Sequence, residues 1–349
     1  MNEACQAVPP AFERFGGELP AGCDVLLQRP TAPDPKILLF SHGRAALAWF
    51  LEAFGPFNCA LVCAYTCPTV PAFFRRRGLA VTRFDYGETD LSSLAKRAEG
   101  RALVLLPAPF GIAPWLDAGA LAGALGERFA VVVDAAQSAF GHLDFAPPAG
   151  GAVLSCPRKA LAIGDGAALR LGKVPHGEHS AIKALPLAGE AVRLKRAARE
   201  LFALKDPDRE TEALGLVEKS EKALPDHACR ITERSRDLLM RTDRAHHMRC
   251  RSANAAALDS ELSELECLLP PGPGTPFAWP FAARDRGALL SRLRERRVFA
   301  TPLWPNAVPR DSAHLRACRM SDALVALPVD QRYSPGDMRR MAELVRACL

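Results

Sequence analysis

Residues 102–106, Ala-Leu-Val-Leu-Leu, and residues 130–133, Ala-Val-Val-Val, decide the fold of this chain. Each is a short unbroken apolar run, the pattern of a strand buried on both faces. Leu116 to Phe129, between them, reads as a helix, and Asp134 closes the second run. Working outward, Ile37–Phe40, Ala60–Ala64, Ala80–Phe84 and Ala152–Ser155 read as further strands. Ala45–Phe54 and Pro71–Arg77 read as helices, the second stopped by Gly78. Strands alternating with helices predict an α/β fold with a mostly parallel sheet between helices. Sites in such sheets gather at the carboxyl ends of the strands. Tyr65, Asp134 and Ser155 fall at or just after such ends.

The flanks differ in character. Residues 1–35 are rich in Pro and Gly and read as an N-terminal arm. Residues 187–250 are helical in composition and highly charged, as in Glu210 to Lys222. Two readings are open for them, a basic nucleic-acid surface or a solvated helical face. The interspersed Glu and Asp favour the second. Further on, Phe277–Ala282, Val298–Thr301 and Leu324–Leu327 read as strands, Asp285–Arg297 and Pro335–Cys348 as helices. The expected organisation is therefore an arm over 1–35, a large α/β domain over 36–248 and a small α+β domain over 249–349.

The 349 residues are 49% hydrophobic and 24% charged, which excludes a disordered, collagen-like or coiled-coil chain. A net charge of +6 is too weak to imply nucleic acid. The longest apolar stretch, 102–116, is broken by Pro107, Pro109, Gly111 and Pro114, so no membrane span is expected. The start, Met1-Asn2-Glu3, carries no apolar segment of the kind a signal peptide needs. The 11 cysteines form no CxxC pair and fit reduced thiols, hence the cytoplasm. Cys59, Cys63 and Cys67 recur every fourth residue. In a strand that spacing separates them by ~13 Å, too far to share an ion, so no metal is expected.

Three clusters can carry chemistry. Ser41-His42-Gly43-Arg44-Ala45 follows a strand and opens a helix, where free amides and the helix dipole suit a phosphate. Asp134, at a strand end before Ala135-Ala136-Gln137, either caps a helix or pairs with a cationic ring nitrogen. Lys159, in Ser155-Cys-Pro-Arg-Lys159 before Gly164-Asp-Gly166, is either an exposed loop lysine or a desolvated, nucleophilic amine. Their order supplies the three parts that pyridoxal phosphate needs: a phosphate cup, a partner for the pyridinium nitrogen and a Schiff-base lysine.

On these residues the chain resembles the DegT/DnrJ/EryC1/StrS family of pyridoxal-phosphate-dependent sugar aminotransferases. Gly43-Arg44-Ala45-Ala46-Leu47 resembles the family's Gly-x-x-Ala-Leu turn, and Asp134-Ala-Ala-Gln137 its Asp-x-Ala-(Gln/His) signature. Ser155-x-x-x-Lys159 with Gly164-x-Gly166 resembles its lysine segment, and Leu327-Pro328 a late Leu-Pro element. The resemblance covers about 37–172 well and 249–349 loosely.

It implies a type I fold of pyridoxal-phosphate enzymes and a homodimer. Lys159 is then the lysine of the internal aldimine, and afterwards a proton shuttle. The resemblance further implies that Asp134 holds the pyridine nitrogen protonated and that Gln137 donates toward the phenolic oxygen. It gives the phosphate to Ser155 and the backbone of Gly43, Arg44 and Ala45. The family's stacking aromatic follows a Thr, whereas here Cys67 follows Thr66. Either Tyr65 takes that role or the ring is held more loosely beside Cys67. The implied reaction moves an amino group from L-glutamate or L-glutamine to a keto-sugar, often nucleotide-linked. Another pyridoxal-phosphate reaction, such as elimination, and a non-catalytic binding or regulatory protein are the alternatives.

Overall fold

The structure is a computed structural model that describes residues 14–32, 34–173, 177–269, 272–308 and 313–349. Residues 1–13 of the expected arm and residue 33 lie outside the described residues.

Eleven strands occur among the described residues. They are β1 (Phe15–Gly16), β2 (Ile37–Phe40), β3 (Cys59–Cys63), β4 (Ala80–Phe84), β5 (Ala102–Pro107) and β6 (Phe129–Ala135). Then come β7 (Ala152–Ser155), β8 (Ala167–Leu171), β9 (Ala278–Ala282), β10 (Val298–Phe299) and β11 (Leu324–Pro328). Seven of them form one sheet in the order β2-β8-β7-β6-β5-β3-β4. Neighbours from β7 to β4 run parallel, while β8 is antiparallel to both β7 and β2. The sequence pattern does not reveal β8, because Ala-Ala-Leu-Arg-Leu carries little of the β-branched signal that marks the others.

Every residue of β3 and β5 is buried, as unbroken apolar runs require. Leu103, Leu105, Val132 and Leu154 face one core layer, and Val104, Leu106 and Val131 the other. Each such side chain contributes roughly 1.5–3 kcal/mol on burial. The helix Gly43–Phe54 covers the first layer. Its residues Ala45 to Phe50 are all buried, since segments near Ile182, Ala191 and Cys229 pack over its outer side.

The charged stretch forms the helices Gly189–Ala203, Glu210–Lys222 and Glu233–Arg241 and the start of Arg244–Glu261. It is only partly a solvated face, because Lys195 and Arg199 are buried. The helix Arg244–Glu261 runs unbroken through the expected domain boundary at 248/249. Beyond it, β9 pairs antiparallel with β11 over a separate core containing Phe281, Leu289, Met338 and Met341. The arm wraps onto this region: β1 pairs with β10, and Tyr333 Oη accepts from Gly16 N and donates to Arg14 O. No helix among the described residues is long and apolar enough to cross a membrane.

Candidate active site

Register sets the site. Pro107 pairs with Asp134, and Asp134 with Leu154, so three parallel strands end level with one another. At that edge lies a cavity of about 240 Å³, walled by residues from five strand ends, the charged segment and Trp304. Of the residues singled out from sequence, Gly43, Arg44, Cys67, Asp134, Gln137 and Lys159 line it.

Asp134 Oδ1 accepts from Ala136 N at 3.0 Å. Burial pushes its carboxyl up, and the nearby Lys159 ammonium pulls the other way. A buried carboxyl in this state gains from a cation placed against it. Gln137 Oε1 accepts from Phe110 N at 2.7 Å, so the Nε2 donors are what this side chain has left to offer. Phe110 itself sits at φ 57°, where the chain turns sharply after β5.

The helix Gly43–Phe54 opens without a side-chain cap and without an acidic residue in its first turn. Its N-cap residue, His42, donates from Nε2 to Pro225 O at 2.9 Å, which leaves Nδ1 to accept from Ser41 Oγ at 2.8 Å. Burial pushes this imidazole down to about 3, so it stays neutral. Arg44 reaches Asp226 at 3.2 Å and Leu224 O at 3.4 Å.

Lys159 is itself exposed, on a short 3-10 turn, Pro157–Lys159. The turn's backbone, by contrast, is tightly held. Arg199 donates to the carbonyls of Leu161 at 2.6 Å and Arg158 at 2.7 Å. Arg251 and Gln331 donate to the carbonyl of Ala160 at 3.3 and 3.2 Å. Asp24 accepts from Ala162 N and from Gln331 Nε2, both at 2.6 Å. Four side chains from four distant segments therefore fix where Lys159 starts. Motif spacing gives none of them this role, because each acts on backbone groups that no spacing rule predicts.

Three expected residues lie elsewhere. Ala45 is buried in the helix interior and does not line the cavity. Tyr65 donates its hydroxyl to Leu303 O and packs its ring on Trp304 at 5.2 Å, so the aromatic at the cavity is Trp304. Ser155 shares a 2.5 Å hydrogen bond with His142 Nδ1. The cause is strand alternation: Leu154 and Cys156 face the cavity, so Ser155 between them faces away. His42, Arg158, Glu221 and Trp304 line the cavity without having been singled out as site residues.

No family model and no curated protein matches this chain by sequence. Solved structures do match it in fold. The sugar aminotransferase Spr1654 from Streptococcus pneumoniae, described as putative and in its PMP form, superposes with a TM-score of 0.66. It is 14% identical over 92% of this chain and 93% of that one. DesV from S. venezuelae, solved with a ketimine intermediate, gives 0.59 at 17% identity, over 89% and 84% of the two chains. The sugar aminotransferase CalS13 from Micromonospora echinospora gives 0.57 at 17% identity, over 90% and 88%. The chain thus has the α/β architecture of these aminotransferases, with the mostly parallel sheet expected from its strand pattern and the type I fold that its resemblance to the family implies.

Proposed function

We propose that this protein is a pyridoxal-phosphate-dependent aminotransferase that moves an amino group from an amino acid, L-glutamate or L-glutamine, to a keto-sugar. The observation that carries the reading is the meeting of Asp134, Lys159, Gln137 and an uncapped helix N-terminus around one cavity. That donor set suits the cofactor: a buried carboxyl for the ring nitrogen, an amine, an amide donor and an anion-binding helix end. The shared fold with sugar aminotransferases supports the same reading.

Bound there, pyridoxal phosphate supplies an electron sink for a carbanion. The protein's part is positioning and proton transfer. Asp134, desolvated at the end of β6, stabilises positive charge on the ring nitrogen. Lys159 Nζ takes the proton from the donor's alpha carbon and later delivers one to the acceptor. Gln137 Nε2 orients the ring through its phenolic oxygen. Trp304 supplies an aromatic wall, a place for which Tyr65 was one of two sequence readings. A homodimer in the cytoplasm, and a nucleotide on the acceptor sugar, belong to this reading.

The test is the visible spectrum of the protein with pyridoxal phosphate. A yellow band that bleaches on adding L-glutamate, and that Lys159→Ala abolishes, supports the reading. A band indifferent to amino donors points to an elimination or another pyridoxal-phosphate reaction. Absence of any band refutes the enzyme and leaves a binding protein.

A further inference from the structure

Ser155, the side chain expected to hold the cofactor's phosphate, shares a hydrogen bond with His142 Nδ1. The cavity wall offers a different group. Arg158 forks onto Glu221, with Nη1 and Nη2 donating to the two carboxylate oxygens at 2.7 and 3.1 Å. The Arg158 side chain is 9% exposed, that of Glu221 44%, so the carboxylate stands on the open side of the pair.

Backbone contacts bring this fork to the phosphate-type helix. Arg158 N donates to Gly166 O at 3.3 Å, and Gly166 N to Ser41 O at 2.6 Å, two residues before the helix begins. Arg158, Glu221, Gly43 and Arg44 line the same cavity.

Charged groups crowd around the fork. Lys195 lies 3.0 Å from Glu18 and 3.7 Å from Glu221, and Arg199 lies 4.0 Å from Glu18. The cluster therefore packs three buried cations, Arg158, Lys195 and Arg199, against Glu18 and Glu221, with Asp24 facing Arg199 and Asp165 facing Arg158 from further away. Burial depresses the Lys195 ammonium, and repulsion from Arg158 and Arg199 adds to this against the pull of Glu18. His42 contributes no charge, being neutral. Arg44 is matched by Asp226. A planar guanidinium fork on the cavity wall, in the same cavity as the uncapped helix end, is suited to a phosphate.

We propose that the Arg158 guanidinium and the amides opening the helix Gly43–Phe54 seat a phosphomonoester dianion, and that Glu221 is the internal carboxylate that holds the fork until this anion takes it. The inference deepens the function proposed above and rests on it for the identity of the phosphate. It also gives the charged stretch 187–250 a task inside the site, through Glu221.

The test compares wild type, Glu221→Gln and Arg158→Met, with Arg158→Lys as a second variant that keeps the charge but loses the fork. Each is titrated with inorganic phosphate by thermal shift, and with pyridoxal phosphate and pyridoxal by absorbance. Glu221→Gln removes the competing charge and is expected to bind inorganic phosphate roughly tenfold more tightly or better. Arg158→Met and Arg158→Lys are expected to lose that binding, together with the preference for pyridoxal phosphate over pyridoxal. Equal phosphate affinity in all four proteins overturns the inference. Binding of pyridoxal phosphate with an unaltered preference over pyridoxal in every variant also overturns it, while sparing the cofactor reading. The expected order with inorganic phosphate, but no uptake of pyridoxal phosphate, upholds the anion seat and refutes the cofactor reading.

Discussion

Arg199 is the residue whose loss tests how Lys159 is held. Its guanidinium is buried and donates to the carbonyls of Arg158 and Leu161, which flank Lys159 in the chain. In Arg199→Met the side chain keeps most of its apolar contact, but both carbonyls lose a charged donor inside the protein. Leaving a buried acceptor unpaired costs about 1–3 kcal/mol. Two of them give a loss of about 2–6 kcal/mol, to which lost packing adds little because methionine retains most of it. Glu18 keeps Lys195 at 3.0 Å, so no buried carboxylate is stranded and the loss does not grow further. Arg199→Lys can still serve one carbonyl and should lose about half as much. Urea denaturation reads the stability directly. Hydrogen exchange of the amides of residues 160–162 reads the turn, which should open more easily in the methionine variant. A loss below about 1 kcal/mol with unchanged exchange would show that Arg199 does not fix the turn.

Glycine substitutions at two places should have opposite signs. At Gly111, with φ +77°, an added Cβ would lie 2.0 Å from Thr275 O, so Gly111→Ala should destabilise by about 2–4 kcal/mol. At Gly123, inside the helix Ala118–Leu125 with nothing within 4 Å, the same change should stabilise by about 0.5–1 kcal/mol; denaturant midpoints that move in one direction for both would refute the assignment. Burial holds His142 down to about 3, against 6.5 when exposed, so its contribution is complete above pH 6.5 and is lost as pH falls toward 3. The stability gap between wild type and His142→Asn should therefore narrow by about 2 kcal/mol from pH 6.5 to pH 5, and an unchanged gap would contradict a neutral buried imidazole.

The centre of the sheet was legible because β3, β5 and β7 are buried throughout and β6 almost so, and burial on both faces leaves apolar runs that polar periodicity cannot disguise. Asp134 was legible for a related reason. A carboxyl at the end of such a run has to be satisfied or used, and the exposed Lys159 was legible through its spacing from Asp134 and the Gly164-Asp-Gly166 turn. What stayed hidden was direction. Ser155 and Leu154 are adjacent in sequence, yet the pleat sends one to His142 and the other to the cavity. Spacing between motifs fixes which strand end a residue occupies but not which face it takes, and a shift of one residue reverses the answer.

The charged segment shows the same limit on a larger scale. Its alternation of Arg, Lys and Glu is what a solvated helix presents, and Glu218 and Lys222 do form an exposed pair. Arg199 and Lys195 belong to the same pattern but are buried, because the arm brings Glu18 to them and the Lys159 turn brings carbonyls. One of those carbonyls lies in, and the other just after, a 3-10 turn too short to satisfy its own backbone. The partners must therefore come from elsewhere, and arginine, with five donors on a rigid plane, can serve two carbonyls at once. The chemistry of this site is thus written at strand ends, where local pattern exposes it. Its geometry is written in distant side chains, chosen by the unpaired groups of one turn. A substitution at Arg199, Arg251 or Asp24 should for that reason disturb Lys159, although none of the three lines the cavity.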